Sequence, residues 1–229
     1  FPANLFIYGV NDIFDYETDK LNPKKQGYES LLQPEEQKRL MRIIIGCLVL
    51  IIPLCILLPI TASGSLILFL LLGFGYSAPP VRAKARPFVD TVFNSLYVMP
   101  GLVGYALFAQ KLPSPWLIAA AIAWCMAMHA YSAIPDQEAD TAAGIETVAT
   151  ALGTRWTVFW CLICYGVSAL AAHQVLGRMG LVLLMPYGIL MLLSLQTTSM
   201  KRIMELYKLF PKVNLVMGFA LFVLAYYAR

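Results

Sequence analysis

Charge is scarce in this 229-residue chain: Asp, Glu, Lys and Arg make up 13% of it, against 59% hydrophobic residues. A chain that apolar does not fit an ordinary soluble domain and points first to a bilayer. The scarcity is also local. From Ile43 to Val81 there is no charged residue at all, and further uncharged runs cover Thr91–Gln110, Leu112–Pro135, Trp156–Gly177, Met179–Met200 and Val213–Ala228. Each is close to the length that crosses about 30 Å of hydrocarbon as a helix. The first run is long enough for two passes, with Thr61, Ala62, Ser63, Gly64 and Ser65 supplying the turn. The expected fold class is therefore all-α, a polytopic transmembrane helix bundle with seven complete spans. Cysteine is sparse too, and all five (Cys47, Cys55, Cys125, Cys161, Cys164) sit inside apolar runs, where they read as small packing residues. Cys161 and Cys164 form a C-x-x-C without His or acidic neighbours, which does not suit a metal or redox centre.

The net charge of +4 would suggest nucleic acid in a soluble protein, but here its placement reports topology and no nucleic-acid partner is expected. If the spans alternate, one side carries the loops around Lys20–Arg42, Arg82–Asp90, Asp136–Arg155 and Lys201–Lys212, which hold 14 of the 17 Lys and Arg. The positive-inside rule makes that side cytoplasmic, so the expected setting is the cell membrane with any site facing the cytoplasm. All thirteen acidic residues lie on the same side or at helix ends facing it. Residues Phe1–Asn11 are apolar but too few to span, with neither an initiator Met nor a basic n-region. They read as the last part of a helix, so that a single transmembrane domain over 1–229 would lack its first helix and part of its second; a re-entrant segment is the competing explanation.

The strongest local signal is Asn11-Asp12-Ile-Phe-Asp15-Tyr-Glu-Thr-Asp19. Spacings of three and four place Asn11, Asp12, Asp15 and Asp19 on one helical face. Clustered carboxylates repel unless a cation neutralises them, and hard oxygen ligands suit magnesium, which shares its shell with substrate phosphates. A second pair, Asp136 and Asp140, recurs at i, i+4 at the cytoplasmic end of another span, while Glu138 between them points elsewhere on the helix. One such cluster could be a solvated helix end. Two at the same depth and side read as opposing walls of one metal site.

The third element is Tyr76-Ser-Ala-Pro-Pro-Val-Arg82-Ala-Lys84-Ala-Arg86-Pro. Two prolines stop the preceding helix and stiffen a turn from which Arg82, Lys84 and Arg86 alternate, with Tyr76 at its base. Arg grips phosphate oxygens bidentately and Lys adds a compact charge, so this turn reads as a diphosphate clamp, to which Lys24 and Lys25 could add. Asp12, Asp15, Asp136 and Asp140 then become the catalytic carboxylates, working with magnesium to neutralise a diphosphate as its C–O bond breaks. The allylic cation left behind needs a dry cavity between helices, for which Tyr8, Phe14, Tyr97, Tyr105 and Tyr131 are candidate linings. His129 is a candidate base, with a hydrogen-bonded structural histidine as the plainer reading.

At these residues the sequence resembles the UbiA superfamily of intramembrane prenyltransferases, whose marks are N-D-x-x-D-x-x-x-D, a later D-x-x-x-D and a basic loop between them. The resemblance covers essentially the whole chain. It implies a ring of about nine helices around a central cavity, with Asn11, Asp12, Asp15 and Asp19 facing Asp136 and Asp140 and binding magnesium diphosphate. The stretches from Tyr8 to Lys25 and from Tyr76 to Pro87 look most like the lycopene elongases of C50 carotenoid synthesis. The implied substrates are dimethylallyl diphosphate and lycopene, with membrane lipid around the bundle. Aromatic acceptors such as hydroxybenzoate or homogentisate, or other lipid acceptors, are alternatives within the superfamily. An ion or phosphate transporter is the alternative of another class, but it would carry ionisable residues near the midplane or on both sides, and here they collect at one interface.

Overall fold

The computed structural model describes residues 2–20 and 31–227. Among these the secondary structure is helical throughout: α1 (Pro2–Phe14), α2 (Tyr16–Asp19), α3 (Pro34–Leu57), α4 (Ile60–Ser77), α5 (Val89–Phe93), α6 (Met99–Ala109), α7 (Pro115–Ser132), α8 (Gln137–Ala142), α9 (Val148–Leu176), α10 (Arg178–Leu195), α11 (Met200–Tyr207) and α12 (Phe210–Tyr227). Short 3₁₀ turns cover Ala83–Ala85, Asn94–Val98 and Ile134–Asp136. Seven helical stretches among the described residues are long and apolar enough to cross a membrane, the number that the charge-free runs imply. This is a multi-pass membrane protein.

One boundary differs from the sequence expectation. The turn between the first two spans falls at Leu58 and Pro59, while Thr61–Ser65 begin α4. Pro59 has no amide hydrogen to continue α3, and Leu58 before it is extended (ψ 155°), as a residue preceding proline prefers. Ser63 then donates its hydroxyl to the Cys55 carbonyl at 2.7 Å and to the Leu58 carbonyl at 3.2 Å. A serine that looks like a loop former in sequence thus satisfies open carbonyls at the end of α3.

The chain forms two compact units. The first comprises 1–113 and 136–151, and in it α4 contacts α1, α3 and α6. Phe6, Ile7 and Val10 make the buried stripe of α1. Phe6 lies against Phe69 with ring centroids 6.2 Å apart, and Phe14 meets Phe74 edge-on at 6.0 Å. A Cβ at Gly73 would come within 3.1 Å of the Phe6 ring, so the glycine allows α1 to lie close on α4.

The second unit comprises 114–135 and 152–229. Its buried α7 stripe is almost all alanine (Ala120, Ala123, Ala127, Ala130), and α9 runs antiparallel to it in a seven-residue register: Cys161 Sγ meets the Ala127 carbonyl at 3.3 Å and Ser168 donates to the Ala120 carbonyl at 2.8 Å. Cys161 and Cys164 are buried packing residues of this helix, as read from the sequence. Gly180 of α10 approaches α9 so closely that a Cβ would lie 2.6 Å from the Ala172 carbonyl carbon. The first unit carries both acidic motifs and the basic turn, while the candidates His129 and Tyr131 belong to the second; Lys24 and Lys25 lie outside the described residues.

Candidate functional site

The first carboxylate motif does not sit on one continuous helix. α1 ends at Phe14, and Asp15 (φ −102°, ψ 1°) breaks the chain before the single turn of α2. Backbone bonds carry the direction across the break, with the Asp15 amide donating to the Asn11 carbonyl at 2.9 Å and the Asp19 amide to the Asp15 carbonyl at 2.8 Å. Asp15 is 1% exposed, whereas Asn11, Asp12 and Asp19 are half-buried. The break therefore singles out one carboxylate and buries it at the end of an apolar helix.

What faces that carboxylate comes from far along the chain. Lys84 Nζ lies 2.6 Å from Asp15 Oδ2, and the Asn11 side-chain amide donates to the same oxygen. Asn11 is held in turn by Ser77 at the end of α4, 3.1 Å from its Nδ2. Burial pushes the Asp15 carboxyl above its ordinary value; the Lys84 ammonium and its hydrogen bond pull it back, Asp19 pushes it up and Arg82 pulls it down. Ser77 carried no signal in the sequence beyond its place beside Tyr76.

Lys84 is presented by a strained turn. Arg82 adopts left-handed geometry (φ 41°, ψ 55°) before the 3₁₀ turn Ala83–Ala85, and Phe88 follows at φ 67°. Non-glycine residues at positive φ are costly and persist where their surroundings impose them, often at functional sites. The Ala85 amide donates to the Arg82 carbonyl at 3.0 Å and the Arg86 guanidinium to the Pro80 carbonyl at 3.1 Å, closing the turn on itself. Arg82 and Lys84 are half-buried and Arg86 is exposed. Tyr76, half-buried, ends the α4 approach to this turn.

The second motif lies in the same unit. Asp136 ends the 3₁₀ turn Ile134–Asp136 and precedes α8, which carries Asp140. Both are half-buried and Glu138 is exposed. The Ile145 amide donates to the Asp140 carbonyl at 2.9 Å, and the Gln137 side-chain amide donates to the Ala149 carbonyl. Asp90, absent from the sequence-based site, is wholly buried: Oδ1 accepts from the Thr91 amide and Oδ2 from the Val148 amide, each at 2.8 Å.

Magnesium suits this chemistry on two observations. Asp15 Oδ1 is buried without a hydrogen-bond partner, and the residues of both motifs offer hard oxygen donors. Among the described residues no three His, Cys, Asp or Glu side chains converge as a ready cluster. Magnesium does not require one, since it commonly takes one or two carboxylates with waters and substrate phosphates.

Of the proposed cavity linings, Tyr8, Phe14, Tyr97 and Tyr105 are exposed on the first unit. Tyr131 is a core residue of the second unit: fully buried, it shares a hydrogen bond with Ser194 at 2.7 Å and lies 4.9 Å from the Phe210 ring. His129 belongs to α7 in that unit. The second unit also contains an apolar cavity of about 340 Å³, lined by Leu117, Trp124, Leu183, Tyr187 and Met217 among others.

Residues 1–226 match the model of the UbiA prenyltransferase family. The chain belongs to that family. Curated relatives include a lycopene elongase/hydratase of Haloarcula japonica, 37% identical over 95% of this chain and 72% of that protein, and one of Haloferax volcanii, 41% identical over 80% of this chain and 60% of that protein. The fold matches a UbiA homolog from Archaeoglobus fulgidus bound to DMAPP and Mg2+, with a TM-score of 0.72 at 16% identity, covering 94% of this chain and 86% of that one.

Proposed function

We propose that this protein ionises an allylic prenyl diphosphate and transfers the prenyl group to a lipophilic acceptor, with dimethylallyl diphosphate and lycopene as the substrates. The observation that carries the reading is the buried Asp15–Lys84 pair, with its unpartnered carboxylate oxygen, in a chain 37–41% identical to lycopene elongases/hydratases. Asn11, Asp12, Asp15 and Asp19 on one side and Asp136 and Asp140 on the other would hold magnesium. Bound there, the metal supplies charge neutralisation for the departing diphosphate.

The chain's own residues do the rest. Arg82 and Lys84 offer cations to the diphosphate oxygens, with Arg86 and Tyr76 at the edges of the same turn. Asn11 and Ser77 fix the direction of the Asp15 carboxylate. The C–O bond breaks with both electrons going to the diphosphate, leaving an allylic cation. A terminal double bond of the acceptor donates its electron pair to that cation, and proton loss or water capture ends the reaction. Apolar helices around the reacting carbons exclude water until then. The charge asymmetry of the loops supports a site facing the cytoplasm.

The test is turnover in membranes with magnesium, radiolabelled dimethylallyl diphosphate and either lycopene or hydroxybenzoate. Label in a C45 or C50 carotenoid, lost with EDTA, is the expected result; label only in the aromatic product would replace the acceptor. Asp15→Ala and Asp136→Ala are each expected to lower turnover by roughly 100-fold or more, measured per folded protein. Retained activity in both would overturn the metal-site reading.

A further inference from the structure

Asp90 is a carboxylate that the proposed chemistry does not use, and it is completely buried. Burying such a group is costly unless it is matched by donors. Its two oxygens take two backbone amides from different places: Oδ1 the amide of Thr91 on its own helix, and Oδ2 the amide of Val148, 58 residues away.

Each end of this link leads to one part of the proposed site. On its own side, the Asp90 amide donates to the Arg86 carbonyl at 3.0 Å and the Thr91 hydroxyl to the Phe88 carbonyl at 2.7 Å, so α5 is tied to the strained basic turn. On the far side, Val148 is the first residue of α9, where an amide has no partner within the helix. The segment around it grips the second motif: Ile145 holds the Asp140 carbonyl and Ala149 accepts from Gln137, beside Asp136. Thr147 provides a local cap, its hydroxyl 3.2 Å from the Thr150 amide, so α9 has a start of its own apart from Asp90.

We infer that Asp90 is a positioning residue for the prenyl-transfer reaction: its carboxylate, through the Val148 amide, fixes the Asp136–Asp140 segment relative to the turn that carries Arg82 and Lys84. The inference rests on the function proposed above. Groups that orient metal ligands from behind commonly change metal affinity or activity by about 10–100-fold when removed.

Two variants break the link from opposite ends. Asp90→Asn leaves one oxygen to accept and turns an amide N–H toward the other donor. Val148→Pro removes the donating amide at a first helical position, where proline is tolerated. Thr147→Ala is the control that weakens the helix start without touching the link. The readouts are KM for dimethylallyl diphosphate, the magnesium midpoint, calorimetric binding of magnesium pyrophosphate, and deuterium exchange over residues 136–149. Both link variants are expected to raise KM and the magnesium midpoint by roughly tenfold, weaken pyrophosphate binding to match and speed exchange in 136–149, while the spans of the second unit keep their protection. Thr147→Ala is expected to lower the folded fraction with KM unchanged. Wild-type KM, midpoint and pyrophosphate affinity in both link variants, with only a loss of folded protein, would overturn the inference. If the wild-type chain transfers no prenyl group the proposed function fails, and unchanged exchange and pyrophosphate binding in the link variants would then overturn the positioning role separately.

Discussion

Replacing Lys84 by methionine keeps most of the side-chain volume and removes the ammonium from Asp15. The lysine side chain is 12% exposed, its partner 1%, and their charged atoms are 2.6 Å apart, so this is a buried pair and its loss leaves an uncompensated charge. Breaking such a pair typically costs about 3–5 kcal/mol. Asp15 can escape by taking up a proton, and that limits the carboxylate's share of the loss. From an ordinary value of 3.8, protonation at pH 7 costs about 4 kcal/mol and at pH 5 about 1.5 kcal/mol. The direction with pH follows. Burial already raises the Asp15 carboxyl in the folded protein, and removing Lys84 raises it further. The folded state of Lys84→Met therefore keeps its stability below the ordinary carboxylate value and loses it as pH rises toward the new, higher one. Unfolding in mixed detergent with EDTA present, at pH 5 and pH 7, measures both costs. The expected result is a larger loss at pH 7, mostly restored in Lys84→Met/Asp15→Asn. A loss below about 1 kcal/mol at both pH values, as for a solvent-screened surface pair, would refute the reasoning.

Glu138→Gln should leave turnover within about twofold of wild type, the range of an exposed substitution away from the site, and a larger loss would bring Glu138 into it. Gly180→Ala places a Cβ 2.6 Å from the Ala172 backbone, which cannot swing aside as a side chain could. It should cost about 1–3 kcal/mol of stability with KM unchanged, read by thermal unfolding and by kinetics on the folded fraction. Ser194→Ala strands the buried Tyr131 hydroxyl and should lower stability by about 1–3 kcal/mol, again without changing KM; a raised KM would return Tyr131 to the list of substrate contacts.

The sequence alone determined the membrane spans, because a bilayer admits only long apolar helices and charge-free runs are visible without a fold. The residue types of the proposed site were legible in it too, since two acidic motifs with helical spacing and a proline-stiffened basic turn carry their chemistry in composition and order. Helical periodicity says which residues share a face but not what that face meets. Only the tertiary structure decided that the first helix breaks at Asp15 and that Lys84 is the cation paired with it. The same holds for Tyr131, which reads as a cavity aromatic and is a packing residue, and for Thr61–Ser65, which read as a turn and begin a helix. Asp90 shows the limit most clearly. In sequence it is one acid at the head of an apolar run, and its role depends on an amide 58 residues away that only the folded chain brings within 2.8 Å.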